Sequence, residues 1–286
     1  MIDRSSRTLF LVCAFVSLAI LAAIAVFTLK EALPAFRQVG LWHFLFGMKF
    51  SVNNQEYGIL PMIIGTIQVT IGAAIVAVPV GILCAILLAE VAPPRVRQVL
   101  RPAIELLVGI PSVVYGMVGM VLLVPLIRHF EGSGYSLLAG IIVLSVMILP
   151  TVVSISEDSI RAVPKSYREG SLALGATHWQ TIWRVLLPAA RSGIVASVVL
   201  AMGRAIGEAM AMIMVIGNSP VIAKSLFGQA STLPSWIATY AEGVSTTGID
   251  RSALFAMSVV LFVLIIIVDG TALLILRRGN RAQSVS

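Results

Sequence analysis

Six stretches of this chain are long, apolar and almost free of charge, and that pattern confines it to one class of fold. They cover about Leu9–Leu29, Ile59–Ala89, Ile104–Ile127, Tyr135–Val153, Ser192–Gly217 and Ser252–Leu276. A helix rises about 1.5 Å per residue, so about 20 apolar residues cross a hydrocarbon layer about 30 Å thick. The runs are continuous rather than alternating with a period of two, which favours helices over barrel strands. The second run is long enough to tilt or to project beyond the bilayer. The chain is 58% hydrophobic and 12% charged, against about 25% charged in a soluble domain. With so little polar surface, lipid must cover much of the exterior. The expected fold is an all-α integral membrane protein with six transmembrane helices.

The remaining features narrow the class. The first run follows Arg4 and Arg7 but is longer than the about 7–15 residues of a secretory leader, so it reads as a retained helix. Cys13 and Cys84 lie inside apolar runs, where cysteine serves as a small hydrophobe. The net charge of +7 is gathered in short clusters beside the runs. It forms no basic stripe interleaved with aromatics, so nucleic acid is not an expected partner. Arg4, Arg7, Arg95, Arg97, Arg101, Arg161, Lys165, Arg168, Arg184, Arg191, Arg277, Arg278 and Arg281 fall on one side of the runs. Fewer basic residues fall on the other, namely Lys30, Arg37, Lys49, Arg128, Lys224 and Arg251, with Arg204 inside a run. The richer side is expected to be cytoplasmic and to hold both termini. The outer loops are then Lys30–Gly58 and Asn218–Arg251, the latter containing Ser235–Glu242, apolar enough to rest on or dip into the membrane.

The loop between the fourth and fifth runs, PKSYREGSLALGATHWQTIWRVLLP from Pro164 to Pro188, is unusually patterned. Ser166 with Glu169, and Thr177 with Gln180, have the spacing of capping boxes. Gly175 between them suits a helix-ending left-handed residue. The segment therefore reads as two short helices joined by a turn, the second presenting Trp179, Ile182, Trp183 and Leu186 at helical spacing. Such a helix can dock in a partner's groove or rest on the lipid interface, and its spacing alone leaves both open.

The same segment resembles the EAA loop of ABC importer permeases: Glu-Ala-Ala, three residues, Gly, nine residues, then Ile-x-Leu-Pro. Here the positions hold Glu169-Gly170-Ser171, then Gly175, then Val185-Leu186-Leu187-Pro188. The glutamate, glycine, leucine and proline match, while small residues replace the two alanines and valine the isoleucine. The resemblance implies a type I ABC importer permease fold, with this loop as a coupling helix that docks on a separate ATPase subunit.

The fifth run carries Gly203-Arg204-Ala205-Ile206-Gly207-Glu208. Four residues apart on a helix, Arg204 and Glu208 share a face. A charge near the bilayer centre costs at least about 2.5 kcal/mol, so such residues turn to a protein interior or a wet cavity. They could form an intrahelical pair that tethers helices, with Gly203 and Gly207 permitting close helix packing, or they could face a substrate. The longer string RAIGEAMAMIMVIGN, Arg204 to Asn218, resembles the fifth-helix signature of PstC-type phosphate permeases. GIPSVVYGMVG (Gly109–Gly119), EYGILPMIIGT (Glu56–Thr66) and SLFGQASTLPSWIATYAEG (Ser225–Gly243) agree with that family. The resemblance implies that Arg204 lines a phosphate path and that Glu208 orients it and keeps the anion from binding too tightly. It also implies a PstA-like second permease, a PstB-like ATPase dimer using ATP and Mg, and a PstS-like extracytoplasmic binding protein.

The expected organisation is an N-terminal helix and outer insertion over residues 1–58, a transport domain over 59–276 with its coupling loop at 157–191, and a cytoplasmic tail over 277–286. No P-loop occurs: Lys165-Ser166 and Lys224-Ser225 follow Pro164 and Ala223 rather than glycine. His43, His129 and His178 are scattered, and neither HExxH nor GxSxG occurs, which disfavours a membrane enzyme acting on a lipid or phosphate ester. A secondary transporter would fit the six runs but not the capped loop. A permease for another oxyanion, molybdate or sulfate, is the nearer rival.

Overall fold

A computed structural model describes residues 2–51, 54–241 and 248–281. Glu242, Gly243 and the tail beyond Arg281 lie outside the described residues, as do the side chains of Arg4, Arg277, Arg278 and Arg281. The helices are α1 (Ile2–Ala35), α2 (Leu41–Phe46), α3 (Leu60–Ile86), α4 (Pro94–Gly109), α5 (Ser112–Val118), α6 (Val124–Arg128), α7 (Leu137–Arg161), α8 (Lys165–Ala173), α9 (His178–Thr181), α10 (Leu187–Ile206), α11 (Met210–Val215), α12 (Leu233–Ala241) and α13 (Ile249–Arg281). Strands β1 (Phe50–Ser51) and β2 (Glu56–Tyr57) pair antiparallel between α2 and α3.

Five helical stretches are long and apolar enough to span a membrane: Ser6–Phe46, Leu60–Val91, Leu137–Arg161, His178–Ile206 and Ile249–Thr271. A sixth comes from α4 and the helix that follows it, Pro94–Gly109 and Ser112–Arg128, which are bent by 97° at their junction. The bend falls inside the third run, expected as a span over Ile104–Ile127. Pro111 has no N–H to continue a helix and disfavours helical geometry at Ile110, so the apolar run turns a corner there. Tyr115 braces the corner, its hydroxyl donating to the Leu107 carbonyl at 2.8 Å. The fifth span also differs from Ser192–Gly217: it starts in the loop, at His178, and stops at Ile206.

α7 is the hub, packed by α3, α10 and α4. In its most apolar stretch 61% of residues are buried, whereas the corresponding stretch of the first helix has 0% buried. Lipid tails are as apolar as leucine, so spans associate through close van der Waals packing between small residues. Gly72 and Gly81 of α3 do this against α7: a methyl group on Gly72 would lie 2.5 Å from Ile141 Cδ1, and one on Gly81 2.7 Å from Val152 Cγ1. Hydroxyls add directed contacts, Ser145 Oγ to the Ala73 carbonyl at 3.3 Å and Ser156 Oγ to Ser197 Oγ at 2.8 Å. The first helix instead lies at the edge, against α13.

Where α1, α12 and α13 meet the β-hairpin, Phe50 touches Tyr57, Trp236 and Tyr240 edge to face. The Tyr57 hydroxyl donates to Asp250 Oδ1 at 2.6 Å. Burial, then that hydrogen bond, raises the Tyr57 phenol well above its ordinary range. Burial, then the Asp250 charge, pushes Tyr240 up to about 12.

Candidate functional site

The loop after α7 folds as two helices on a rigid turn. α8 ends at Ala173 with Leu174 as its C-cap, and Gly175 follows at φ +83°. The Gly175 N–H reaches the Leu172 carbonyl at 2.9 Å and the Ala176 N–H the Ser171 carbonyl at 3.2 Å. These two bonds form a Schellman end, which needs a left-handed residue at the glycine. Thr177 then caps α9: its Oγ1 accepts from the Gln180 N–H at 3.2 Å, and Gln180 Oε1 accepts from the Thr177 N–H at 2.9 Å. The box expected at Ser166 and Glu169 does not form, because α8 starts directly after Pro164, which makes no side-chain cap. That start puts Ser166 inside the first turn, with Glu169 exposed further along. Ser171 Oγ lies 3.0 Å from Thr181 Oγ1 and ties the two helices together.

The expected single face of Trp179, Ile182, Trp183 and Leu186 divides in two. Ile182 (0% exposed) and Leu186 (1% exposed) are buried with Ala85, Ile86, Ile160 and Ala190. Trp179 and Trp183 point outward, paired edge to face with centroids 5.7 Å apart. Ile182–Leu186 is a π-turn, one residue wider than α, ahead of Pro188, whose missing N–H leaves a carbonyl of the preceding turn free. Leu187 packs against the buried set. Gly170, Ser171 and Val185 line an open groove of about 530 Å³ between the two helices, with Gln180 and Arg184. Leu174 stands 90% exposed at the tip.

Beneath this loop, buried acid is matched by arginine. Glu157 Oε1 lies 2.6 Å from Arg161 and 3.8 Å from Arg101, and its side chain is only 3% exposed. The Arg161 contact is short but poorly aligned, a charge contact more than a directed hydrogen bond. Arg101 also reaches Glu105 at 3.1 Å and Asp158 at 3.4 Å.

α10 carries on from this loop and stops inside the bundle at Ile206. The chain then turns through Gly207, Glu208 and Ala209 before α11. The break separates Arg204 from Glu208, so they share no helix face, and among the described residues no ion pair joins them. Glu208 Oε1 instead accepts from the Ala211 N–H at 3.0 Å. Half-buried Arg204 thus sits in the last turn of one half-helix and Glu208 at the start of the next, each opposing the local end charge of its helix. Gly203 faces Asp269 of α13, whose Oδ1 would lie 3.2 Å from an added methyl. Gly207 meets only its own helix backbone, so it makes the turn rather than a helix–helix contact.

Two further residues join this region. Gly116 of α5 lies so close to α11 that a methyl there would be 2.8 Å from the Ala211 Cα. Tyr115, beside it, commits its hydroxyl to the Leu107 carbonyl at the corner between α4 and α5. The Tyr115 signal was present in the sequence only as part of the GIPSVVYGMVG string. Arg204 and Glu208 therefore flank a partly exposed break in the fifth span, a setting suited to holding an anion.

Residues 77–280 match the family described as "binding-protein-dependent transport system inner membrane component". The probable ABC transporter permease protein YqgH of Bacillus subtilis (strain 168) is 48% identical over 265 residues, covering 90% of this chain and 85% of its own length. The phosphate transport system permease protein PstC of Pasteurella multocida (strain Pm70) is 31% identical over 301 residues, covering 98% and 92%. In fold, the chain resembles a solved inward-facing form of the MetNI methionine ABC transporter, with a TM-score of 0.63, 20% identity, and 80% and 99% coverage. A bacterial ABC transporter that imports alginate gives 0.62 at 17% identity, covering 87% and 88%. The six-span bundle, the two-helix loop and the broken fifth span are the frame of a type I importer permease, and the chain belongs to the binding-protein-dependent transport system inner membrane components, among permeases of PstC type.

Proposed function

We propose that this chain is the permease subunit of an ATP-driven importer of inorganic phosphate. One observation carries the reading: a single helical rod, His178–Ile206, joins the two-helix loop to the break beside Arg204. Its 29 residues span about 43 Å at about 1.5 Å each. A push on the loop therefore moves the anion-facing end. The Arg-rich end, holding the loop and both termini, is cytoplasmic. There the groove between α8 and α9, with exposed Leu174, Trp179 and Trp183, meets a PstB-like ATPase dimer that binds ATP and Mg. Glu169, Gly170, Ser171, Gly175, Val185, Leu187 and Pro188 shape that contact. A PstA-like permease completes the path, and a PstS-like binding protein delivers the anion from outside.

Phosphate cannot enter hydrocarbon unassisted. The Arg204 guanidinium offers it charge and a fork of donors. Glu208, across the break, holds α11 in place and adds a nearby negative charge that keeps the anion from settling. Discontinuous spans with half-helix ends near mid-membrane are a recurrent transport-site architecture. Residues 59–276 form the transport domain, with 1–58 as an accessory helix and outer insertion and 277–286 as a tail. Phosphate in the names of the PstC relatives supports the cargo.

Reconstitution with the ATPase, the sister permease and the binding protein tests this. Phosphate-loaded binding protein is expected to stimulate ATP hydrolysis and anion uptake. Stimulation only by the sulfate- or molybdate-loaded form would overturn the cargo, and uptake without any ATPase would overturn the mechanism.

A further inference from the structure

The end of α3 is gripped in a way the loop resemblance does not explain. α3 continues into a π-turn, Leu87–Val91, where its last carbonyls lack helical partners. Arginines from three other parts of the chain converge there. Arg97 of α4 donates Nε to the Leu88 carbonyl at 2.8 Å and Nη2 to the Ala89 carbonyl at 3.2 Å. Arg161, at the end of α7, donates to the same Leu88 carbonyl at 3.2 Å. Arg168 of α8 makes an ion pair with Glu90, whose side chain is only 3% exposed.

α8 has no buried residue of its own. Among the described residues, Arg168–Glu90 is its one ion pair to the membrane bundle. A helix lying exposed on a surface slides unless something fixed holds it. A carboxylate buried at the end of a spanning helix is fixed, and it strongly favours keeping its cation.

We propose that Glu90 and Arg168 form a latch through which movement of α8 is passed directly to α3, in parallel with the α9–α10 rod. The inference rests on the importer reading above. Both are positioning residues: they touch neither anion nor nucleotide, and they make two spans answer to one loop. α3 packs along α7, so a pull at Glu90 moves the central pair of the bundle.

The test uses the full reconstituted transporter and counts phosphate imported per ATP hydrolysed. Arg168→Gln and the double variant Glu90→Gln/Arg168→Gln are compared with the unaltered complex, and Arg168→Lys serves as the conservative control. The double variant leaves no buried charge unpaired, so a purely stabilising pair would recover in it. The latch predicts otherwise: uptake per ATP falls about tenfold in both Gln variants, hydrolysis per assembled complex changes by less than about twofold, and Arg168→Lys recovers much of the loss. Full coupling in the double variant would overturn the latch, as would losses of uptake and hydrolysis that only track the amount of assembled complex. Absence of ATP-driven uptake in the unaltered complex would instead remove the importer reading.

Discussion

At the loop end of the rod His178–Ile206, every buried acid meets arginine: Glu157 lies between Arg161 and Arg101, and Glu90 is held by Arg168. At the other end, Arg204 and Glu208 are a turn apart across a broken helix and pair with neither each other nor any other charged residue among the described ones. Charge is saturated where the protein must be stiff and left open where a guest must come and go. An ion pair that is complete in the resting protein has nothing left to offer a ligand, whereas an uncommitted guanidinium does.

The largest effect is expected from unbalancing the saturated end. Glu157→Ala leaves Arg161 without its acid and should cost about 2–3 kcal/mol, below the about 3–5 kcal/mol of a fully enclosed pair because the Arg161 side chain is 31% exposed. Denaturant unfolding in detergent measures it, and a variant as stable as the parent would contradict the saturated-end picture. At the open end, Arg204→Ala should leave stability nearly unchanged but cut uptake about 10- to 150-fold, the worth of a charged hydrogen bond of about 1.5–3 kcal/mol. Normal phosphate uptake at normal expression would remove Arg204 from the path.

A finer cut separates two loop glycines whose added methyl would meet nothing within 4 Å. Gly175 is at φ +83° and Gly170 is helical. Gly175→Ala should therefore cost about 1 kcal/mol of backbone strain. Gly170→Ala should gain up to about 1 kcal/mol. Equal thermal shifts for the two would show that φ is not what selects glycine at 175.

The smallest effect lies at the aromatic cluster. Its raised Tyr240 phenol keeps its proton in the folded chain after an unfolded one, near pH 10, has lost it. The contribution to stability is whole below about pH 10 and disappears as pH climbs through about 12. Phenolate absorbance should show Tyr240 ionising late, and Asp250→Asn should bring that step down. An unmoved titration in that variant would deny the Asp250 contribution.

The spans were legible because hydrophobic length is a local property, readable residue by residue. The Gly175 turn and the Thr177 cap were legible for the same reason: their partners lie within five residues. The right-angle corner at Gly109–Pro111 was hidden because both arms are apolar, and hydropathy records how greasy a segment is but not where it points. The break at Gly207 was masked likewise, so spacing placed Arg204 and Glu208 on one face that the backbone does not build. Pro164 pre-empted Ser166 as the helix start, a competition between two plausible caps that local pattern does not decide. Glu90 and Arg168 are 78 positions apart, and only the packing of α8 beneath the bundle brings them together.

The outward tryptophan pair gives the loop a built-in optical reporter. Two of the chain's four tryptophans, Trp179 and Trp183, are exposed at the surface proposed to receive the ATPase. Covering indole with another protein's surface shifts its emission toward the blue. With Trp42 and Trp236 changed to phenylalanine, the arrival and departure of the motor would be timed by intrinsic fluorescence, with no dye attached to either subunit.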